Sequence, residues 1–160
     1  MYSKPKTIMI TGASSGIGEA LALHYAADDI VLCLTGRDSL RLETVAESCR
    51  AKGALVDTWA GDVCNSEGIK SWIADCDQTH TLNLVIANAG VALGSATVEG
   101  LQEAATNSFN INVNGVFNTV HPALELMSKR RPYPVANAQV ALMSSVMGYA
   151  GMARSPAYSS

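Results

Sequence analysis

"TIMITGASSGIG" occupies residues 7–18, and its two halves obey different rules. The run "TIMIT" (7–11) is continuously apolar or β-branched, as a strand covered on both faces should be. The next stretch, "TGASSGIG" (11–18), packs three glycines and two serines into eight residues, after which apolar residues recur at helical spacing. A strand that passes into a helix through such a loop presents unpaired helix N–H groups, and the positive end of the helix dipole, at the strand's carboxyl end. Gly12 permits a tight turn, and Gly16 removes a side chain where backbone must approach a diphosphate. Gly18 lets the helix pack closely on the sheet, with Ser14, Ser15 and Ile17 completing the loop. The spacing is GxxxGxG, with no GK[ST] after it, which excludes a nucleoside-triphosphate P-loop. A glycine-rich turn that binds nothing is the competing reading of the glycines alone.

The alternation continues outward from this loop. "IVLCLTG" (30–36), "LVDTWA" (55–60), "LNLVIA" (82–87) and "VALMS" (140–144) are further short apolar runs. Between them the apolar residues change to helical spacing: Ile17, Ala20, Leu21, His24 and Tyr25; then Leu42, Val45, Ala46 and Cys49; then Ile69, Trp72, Ile73 and Cys76. A long fourth pattern, Phe109, Val113, Val116, Phe117, Val120, Leu124 and Met127, predicts one helix from about 108 to 130, ended by "RRPYP". Strand and helix alternating five times predict an α/β fold, a doubly wound parallel sheet of Rossmann type, in a single dinucleotide-binding domain over 1–160. In such folds ligands sit at the carboxyl ends of the strands, and every motif below follows a predicted strand.

Composition narrows the function. Hydrophobic residues are 48% and charged residues 16% of the 160, a core-rich globular balance. A formal charge of −3 gives no electrostatic footprint for nucleic acid. The basic cluster Lys129-Arg130-Arg131 reads as the solvated end of a helix. No stretch is apolar enough for a signal peptide or membrane span, so a cytoplasmic protein is expected. Cys33, Cys49, Cys64 and Cys76 lack CxxC pairing and nearby histidines, so reduced thiols and no metal are expected. His24, His80 and His121 lack any partner that would make them catalytic.

The glycine loop resembles the cofactor loop of the short-chain dehydrogenase/reductases, and five further landmarks follow in that family's order. "GDV" resembles its adenine-contacting segment, here Asp62 and Val63. "ANAG" (87–90) resembles its NNAG element, with Ala87 in place of the first asparagine, and points to Asn88, Ala89 and Gly90 on the cofactor side of the cleft. "NVNG" (112–115) matches its helix-borne asparagine, Asn112. "SSVMG" and "AYSS" match its serine and tyrosine, Ser145 and Tyr158, at the customary spacing. The resemblance spans the chain and implies hydride transfer between a nicotinamide and a carbonyl or secondary alcohol. Tyr158 is then the general acid/base, Ser145 the donor that polarises the carbonyl, and Asn112 the holder of a water in the proton relay.

After the second strand stands "TGRD". NAD-binding sites of this kind usually place an acidic side chain there for the ribose hydroxyls. Gly36 occupies that place and Arg37 follows, which favours NADP(H), since a guanidinium suits a 2′-phosphate. Asp38 turning in to meet the ribose is the competing arrangement.

The family's YxxxK lysine would fall at position 162, whereas the sequence stops at 160. The resemblance therefore predicts the N-terminal portion of a reductase, truncated after the fifth strand, crippled in catalysis and prone to form a homo-oligomer through the helix near 108–130. A non-catalytic dinucleotide-binding or interaction module is the alternative. The stretch 147–156, "MGYAGMARSP", would line an apolar substrate pocket.

Overall fold

The apolar runs form five parallel strands, β1 (Thr7–Thr11), β2 (Val31–Gly36), β3 (Leu55–Ala60), β4 (Leu84–Ala87) and β5 (Gln139–Leu142). Their order across the sheet is β3-β2-β1-β4-β5. The chain moves outward from β1 to β3, then returns past β1 to begin again at β4. The crevice outside the carboxyl ends of β1 and β4 is thus the topological switch point at which such sheets bind ligands. This is a computed structural model, and it describes residues 4–130, 138–151 and 154–159. Arg131, the Pro132-Tyr133-Pro134 breaker, Met152 and Ala153 lie outside the described residues.

Helices cover both faces, as continuously apolar central strands require. One core joins Ile8, Ile10, Leu32 and Leu34 to Ala22 of α1 (Gly16–Tyr25) and to Leu42, Val45, Ala46 and Cys49 of α2 (Ser39–Arg50). The opposite core joins Met9, Cys33 and Val85 to Ile69, Ile73 and Cys76 of α3 (Ser66–His80) and to Ala123 and Met127 of α5 (Gly115–Ser128). Ile8, Met9, Ile10, Leu32 and Leu34 are wholly buried, and each such side chain stabilises the fold by about 1.5–3 kcal/mol relative to exposure. The expected faces of α2 and α3 are therefore the packed ones. Among the described residues no helix is long and apolar enough to cross a membrane.

The face expected for α1 is packed only in part: Leu21 and Tyr25 are half-buried against the core, and the rest of that face is not. Ile17 is 59% exposed and His24 is exposed, whereas Gly18, Ala22 and Ala26 turn inward. The helix lies so close to the glycine loop that a Cβ on Gly18 would stand 2.2 Å from the Gly12 carbonyl oxygen. Only small residues fit that face, so the larger apolar ones are displaced to its rim.

The long helix begins earlier than expected and is not uniform. α4 (Val98–Phe109) passes into a π-turn over Asn110–Asn114 and then into α5. Thr97 caps α4, its hydroxyl oxygen accepting from the Gly100 amide at 3.2 Å. Nor is Arg130 simply a solvated helix end: its guanidinium pairs with Asp77 and donates to the Leu82 carbonyl at 2.6 Å. Lys129 is exposed and pairs with Glu125 at 2.7 Å.

Candidate functional site

The switch-point crevice opens into a cleft of about 710 Å³. Each of the five strands delivers residues to it from its carboxyl end. Gly12 follows β1, Gly36 and Arg37 close β2, Gly61 follows β3, Asn88 follows β4 and Ser145 follows β5. Tyr158 enters from a 3₁₀ turn over Pro156–Tyr158, and Asn112 from the π-turn. The sequence-derived residues Ser14, Ser15, Gly16, Ile17, Asp62, Val63, Ala89 and Gly90 lie along the same cleft. Gly18 alone among them does not line it, being packed beneath the loop.

The loop's geometry follows from its glycines. Gly12 adopts φ +68°, and a Cβ there would press to 2.8 Å from the Ala89 Cα. Gly16 adopts φ +58°, and nothing stands within 4 Å of where its Cβ would be. That open space lies at the start of α1, where the Ser15 side chain makes no capping hydrogen bond. A bound anion could approach the first helical amides there without meeting a side chain. These features fit a dinucleotide diphosphate.

The loop is tied to the segment after β4. The Thr11 hydroxyl oxygen accepts from the amides of Asn88 and Ala89, each at 3.0 Å. Asn88 Nδ2 in turn donates to the Thr11 carbonyl at 3.0 Å. Further along, both polar atoms of the Asn112 side chain engage the Val91 backbone at 2.8 Å. The side chain expected to hold a water is thus committed mainly to shaping the loop, with one N–H and one lone pair left over.

At the far end of the cleft, Gly36 stands where a ribose-binding site would place an acidic side chain, and Ser14 crowds that place. A Cβ on it would stand 2.9 Å from Ser14 Oγ. Asp38 is turned to its own helix, accepting from the Arg41 amide at 3.1 Å and lying 3.4 Å from Arg41 Nε. Arg37 reaches Asp62 at only 3.9 Å, with its side chain 63% exposed.

The chemical end holds Ser145 and Tyr158. Ser145 Oγ accepts from the Met147 amide at 3.2 Å, capping a short turn over Val146–Gly148. That bond uses a lone pair and leaves the hydroxyl hydrogen for another acceptor. A glycine loop, a capped serine and a half-buried tyrosine along one switch-point cleft are the layout that the sequence landmarks describe. The family model for short chain dehydrogenase matches residues 6–160. This chain belongs to that family.

As a short-chain dehydrogenase it is 30% identical over 156 residues to an uncharacterized oxidoreductase of Staphylococcus saprophyticus, covering 96% of this chain and 64% of that one. It is 33% identical over 165 residues to retinol dehydrogenase 8 of Bos taurus, covering 99% of this chain and 50% of the relative. Its fold matches an alcohol dehydrogenase from the archaeon Thermococcus sibiricus, complexed with 5-hydroxy-NADP, at TM-score 0.82 and 26% identity, over 96% of this chain and 64% of that one. The chain thus spans between half and two thirds of the length of these relatives.

Several residues that shape this short-chain dehydrogenase site escape a reading of motifs. Thr11 is wholly buried and pins the loop after β4, although its strand-end threonine is a usable signal. Arg41 lines the cleft one helical turn beyond Arg37. Asn118 Nδ2 donates to the Val63 carbonyl at 2.9 Å and fixes the Asp62–Val63 segment from α5, which no sequence spacing announces. Cys64, beside it, is exposed. Its thiol is nevertheless pushed up, by desolvation first and then by the hydrogen bond and charge of Asp62, with Arg37 opposing.

Proposed function

We propose that this chain forms the cofactor-binding and catalytic portion of an NADP(H)-dependent oxidoreductase acting on a carbonyl or secondary alcohol. The observation that carries the cofactor preference is the arrangement after β2: a glycine at position 36 where an acid would stand, Asp38 engaged in capping, and Arg37 and Arg41 both beside the cleft. Two guanidinium groups, each held by its acidic neighbour only at 3.9 and 3.4 Å, could turn to a 2′-phosphate, which suits them better than a ribose diol. A structural relative complexed with 5-hydroxy-NADP supports this reading, while two others of the same fold hold NAD.

NADP(H), when bound, supplies the hydride. The chain's own residues do the rest. Gly12 to Gly18 receive the diphosphate, and Asn88 holds the loop beneath it. Tyr158 donates the phenolic proton to the carbonyl oxygen in reduction, and accepts it back, as phenolate, in oxidation. Ser145 donates a hydrogen bond to the same oxygen, favouring the charge that develops there. The substrate is a small neutral carbonyl compound, consistent with the apolar Val91, Ala92 and Met143 along the cleft.

The test is thermal denaturation with NADPH and NADH in parallel, followed by NADPH consumption over a panel of ketones, aldehydes and quinones. A ligand that binds only the folded state adds roughly 2.7 kcal/mol at a hundred times its dissociation constant. Stabilisation by NADPH well above that by NADH is expected, with turnover weak, as the crippled catalysis predicts, and abolished in Tyr158→Phe. Equal shifts would remove the cofactor assignment, and a cooperative melt unmoved by either would remove the binding site itself.

We also propose self-association through the continuous helix formed by α4, the π-turn and α5. Phe109, Val113, Phe117 and Leu124 are 46%, 40%, 67% and 51% exposed and follow one another along the helix. A continuous apolar stripe of that kind is a surface for association.

A further inference from the structure

Asn112 and Tyr158 approach the cleft from elements far apart in sequence, yet the loop after β4 links them. At its start, Val91 is held by the Asn112 side chain through two hydrogen bonds of 2.8 Å. Two residues on, the Leu93 carbonyl accepts from the Ser155 hydroxyl. Two further on, the Ser95 amide donates to the Arg154 carbonyl at 3.0 Å. Ser155 then caps the turn that carries the tyrosine, its own carbonyl accepting from the Tyr158 amide at 3.2 Å.

Ser155 stands out in its segment. It is only 5% exposed, while Arg154 and Pro156 on either side are exposed. Opposite it lies Gly94, where a Cβ would stand 2.2 Å from the Arg154 carbonyl oxygen and 3.3 Å from Ser155 Cβ. The two backbones meet at a distance that only glycine permits. Pro156 follows with its φ fixed by the ring, so little slack remains between Ser155 and Tyr158.

We infer that Ser155, seated against Gly94, is a positioning residue that locks the Tyr158 turn to the loop shaped by Asn112. It touches no reacting atom itself. Residues 91–95 act as a bar with Asn112 fastened at one end and Ser155 at the other, so the proton donor and the helix are held in one register. The catalytic consequence rests on reading Tyr158 as the proton donor; the latch itself does not.

The experiment compares Ser155→Ala, Ser155→Thr and Gly94→Ala with the parent protein by amide hydrogen exchange, resolved by NMR, and by steady-state kinetics. In Ser155→Ala the protection of the Ser95 and Tyr158 amides should fall about fivefold to tenfold, the factor that one net hydrogen bond carries. The Ala13 amide, which donates to the Thr35 carbonyl at 2.9 Å in the cofactor loop, should be unchanged. Ser155→Thr keeps the hydroxyl and should recover protection, and Gly94→Ala should lose it by forcing the segments apart. Unchanged protection in Ser155→Ala would overturn the latch whatever the kinetics show.

With turnover, kcat should fall about tenfold to a hundredfold, as misplacement of a reacting group does. KM and NADPH affinity should stay within about twofold, since nothing else at the site is touched. Unchanged kcat in Ser155→Ala, beside its loss in Tyr158→Phe, would overturn the positioning role. A parent without turnover on any carbonyl tested would agree with the crippled catalysis that the family resemblance predicts, and the exchange result would then decide the latch by itself.

Discussion

Asn112 satisfies both backbone polar groups of Val91: its Oδ1 accepts from the amide and its Nδ2 donates to the carbonyl, each at 2.8 Å. An amide is required for this, because one end of the side chain must accept and the other donate. Asn112→Asp, nearly isosteric, would set a carboxylate oxygen against the Val91 carbonyl. It should destabilise the protein by about 1–3 kcal/mol in urea unfolding, the cost of an unsatisfied polar group. Activity should fall with it. A loss of only a few tenths would mean that the loop is held without Asn112.

Arg37 should discriminate between the two nicotinamide cofactors. A hydrogen bond to a charged group contributes about 1.5–3 kcal/mol, so Arg37→Ala should weaken NADPH binding roughly tenfold to over a hundredfold. NADH binding should change little. Calorimetric titration of both cofactors checks this, and equal losses would mean that Arg37 supports the fold and not the 2′-phosphate.

Of the four thiols, only Cys64 is exposed. Burial raises Cys49, and the hydrogen bond to Cys33 followed by burial raises Cys76. A raised thiol releases its proton only at higher pH, so less reactive thiolate is present at neutrality. Native protein should therefore react at one cysteine, slowly at pH 7 and faster as pH rises. Asp62→Asn should speed alkylation by removing the charge that opposes ionisation of Cys64. Mass spectrometry after timed iodoacetamide exposure reads this directly; slower alkylation in the variant would contradict it.

Ser108 is wholly buried in α4, and its hydroxyl has no hydrogen-bond partner among the described residues. Burying an unpaired hydroxyl is unfavourable, and alanine is the better helix former. Ser108→Ala should stabilise the protein by about 1 kcal/mol, seen as a higher urea midpoint at unchanged slope. Destabilisation would show that the hydroxyl is satisfied in solution.

Phe117 lies in the middle of the exposed stripe on α5 at 67% exposure. If that stripe joins two copies, Phe117→Asp should shift sedimentation to the monomer with folding intact, since a charge at the centre of an apolar interface is costly. A monomeric parent at micromolar concentration would remove the proposal.

The sequence by itself determined the alternation, the parallel sheet and the landmarks at strand ends. Continuous apolar runs such as "TIMIT", too short for a buried helix and bounded by glycine, read as central strands, and three glycines in eight residues read as a backbone-dominated loop. Those are local consequences of burial and of allowed φ and ψ, so they are readable one segment at a time. The α2 and α3 faces were legible for the same reason. The α1 face was legible only in part, because whether Ile17 or Gly18 points inward depends on how closely the helix approaches Gly12, a distance fixed by another segment. The tertiary structure also decided that Asn112 binds Val91 and that Ser155 meets Leu93 across sixty-two positions of chain. Hydrogen bonds between distant segments leave no periodic trace in composition or spacing. They exist only once the sheet has brought the ends of β1, β4 and β5 side by side.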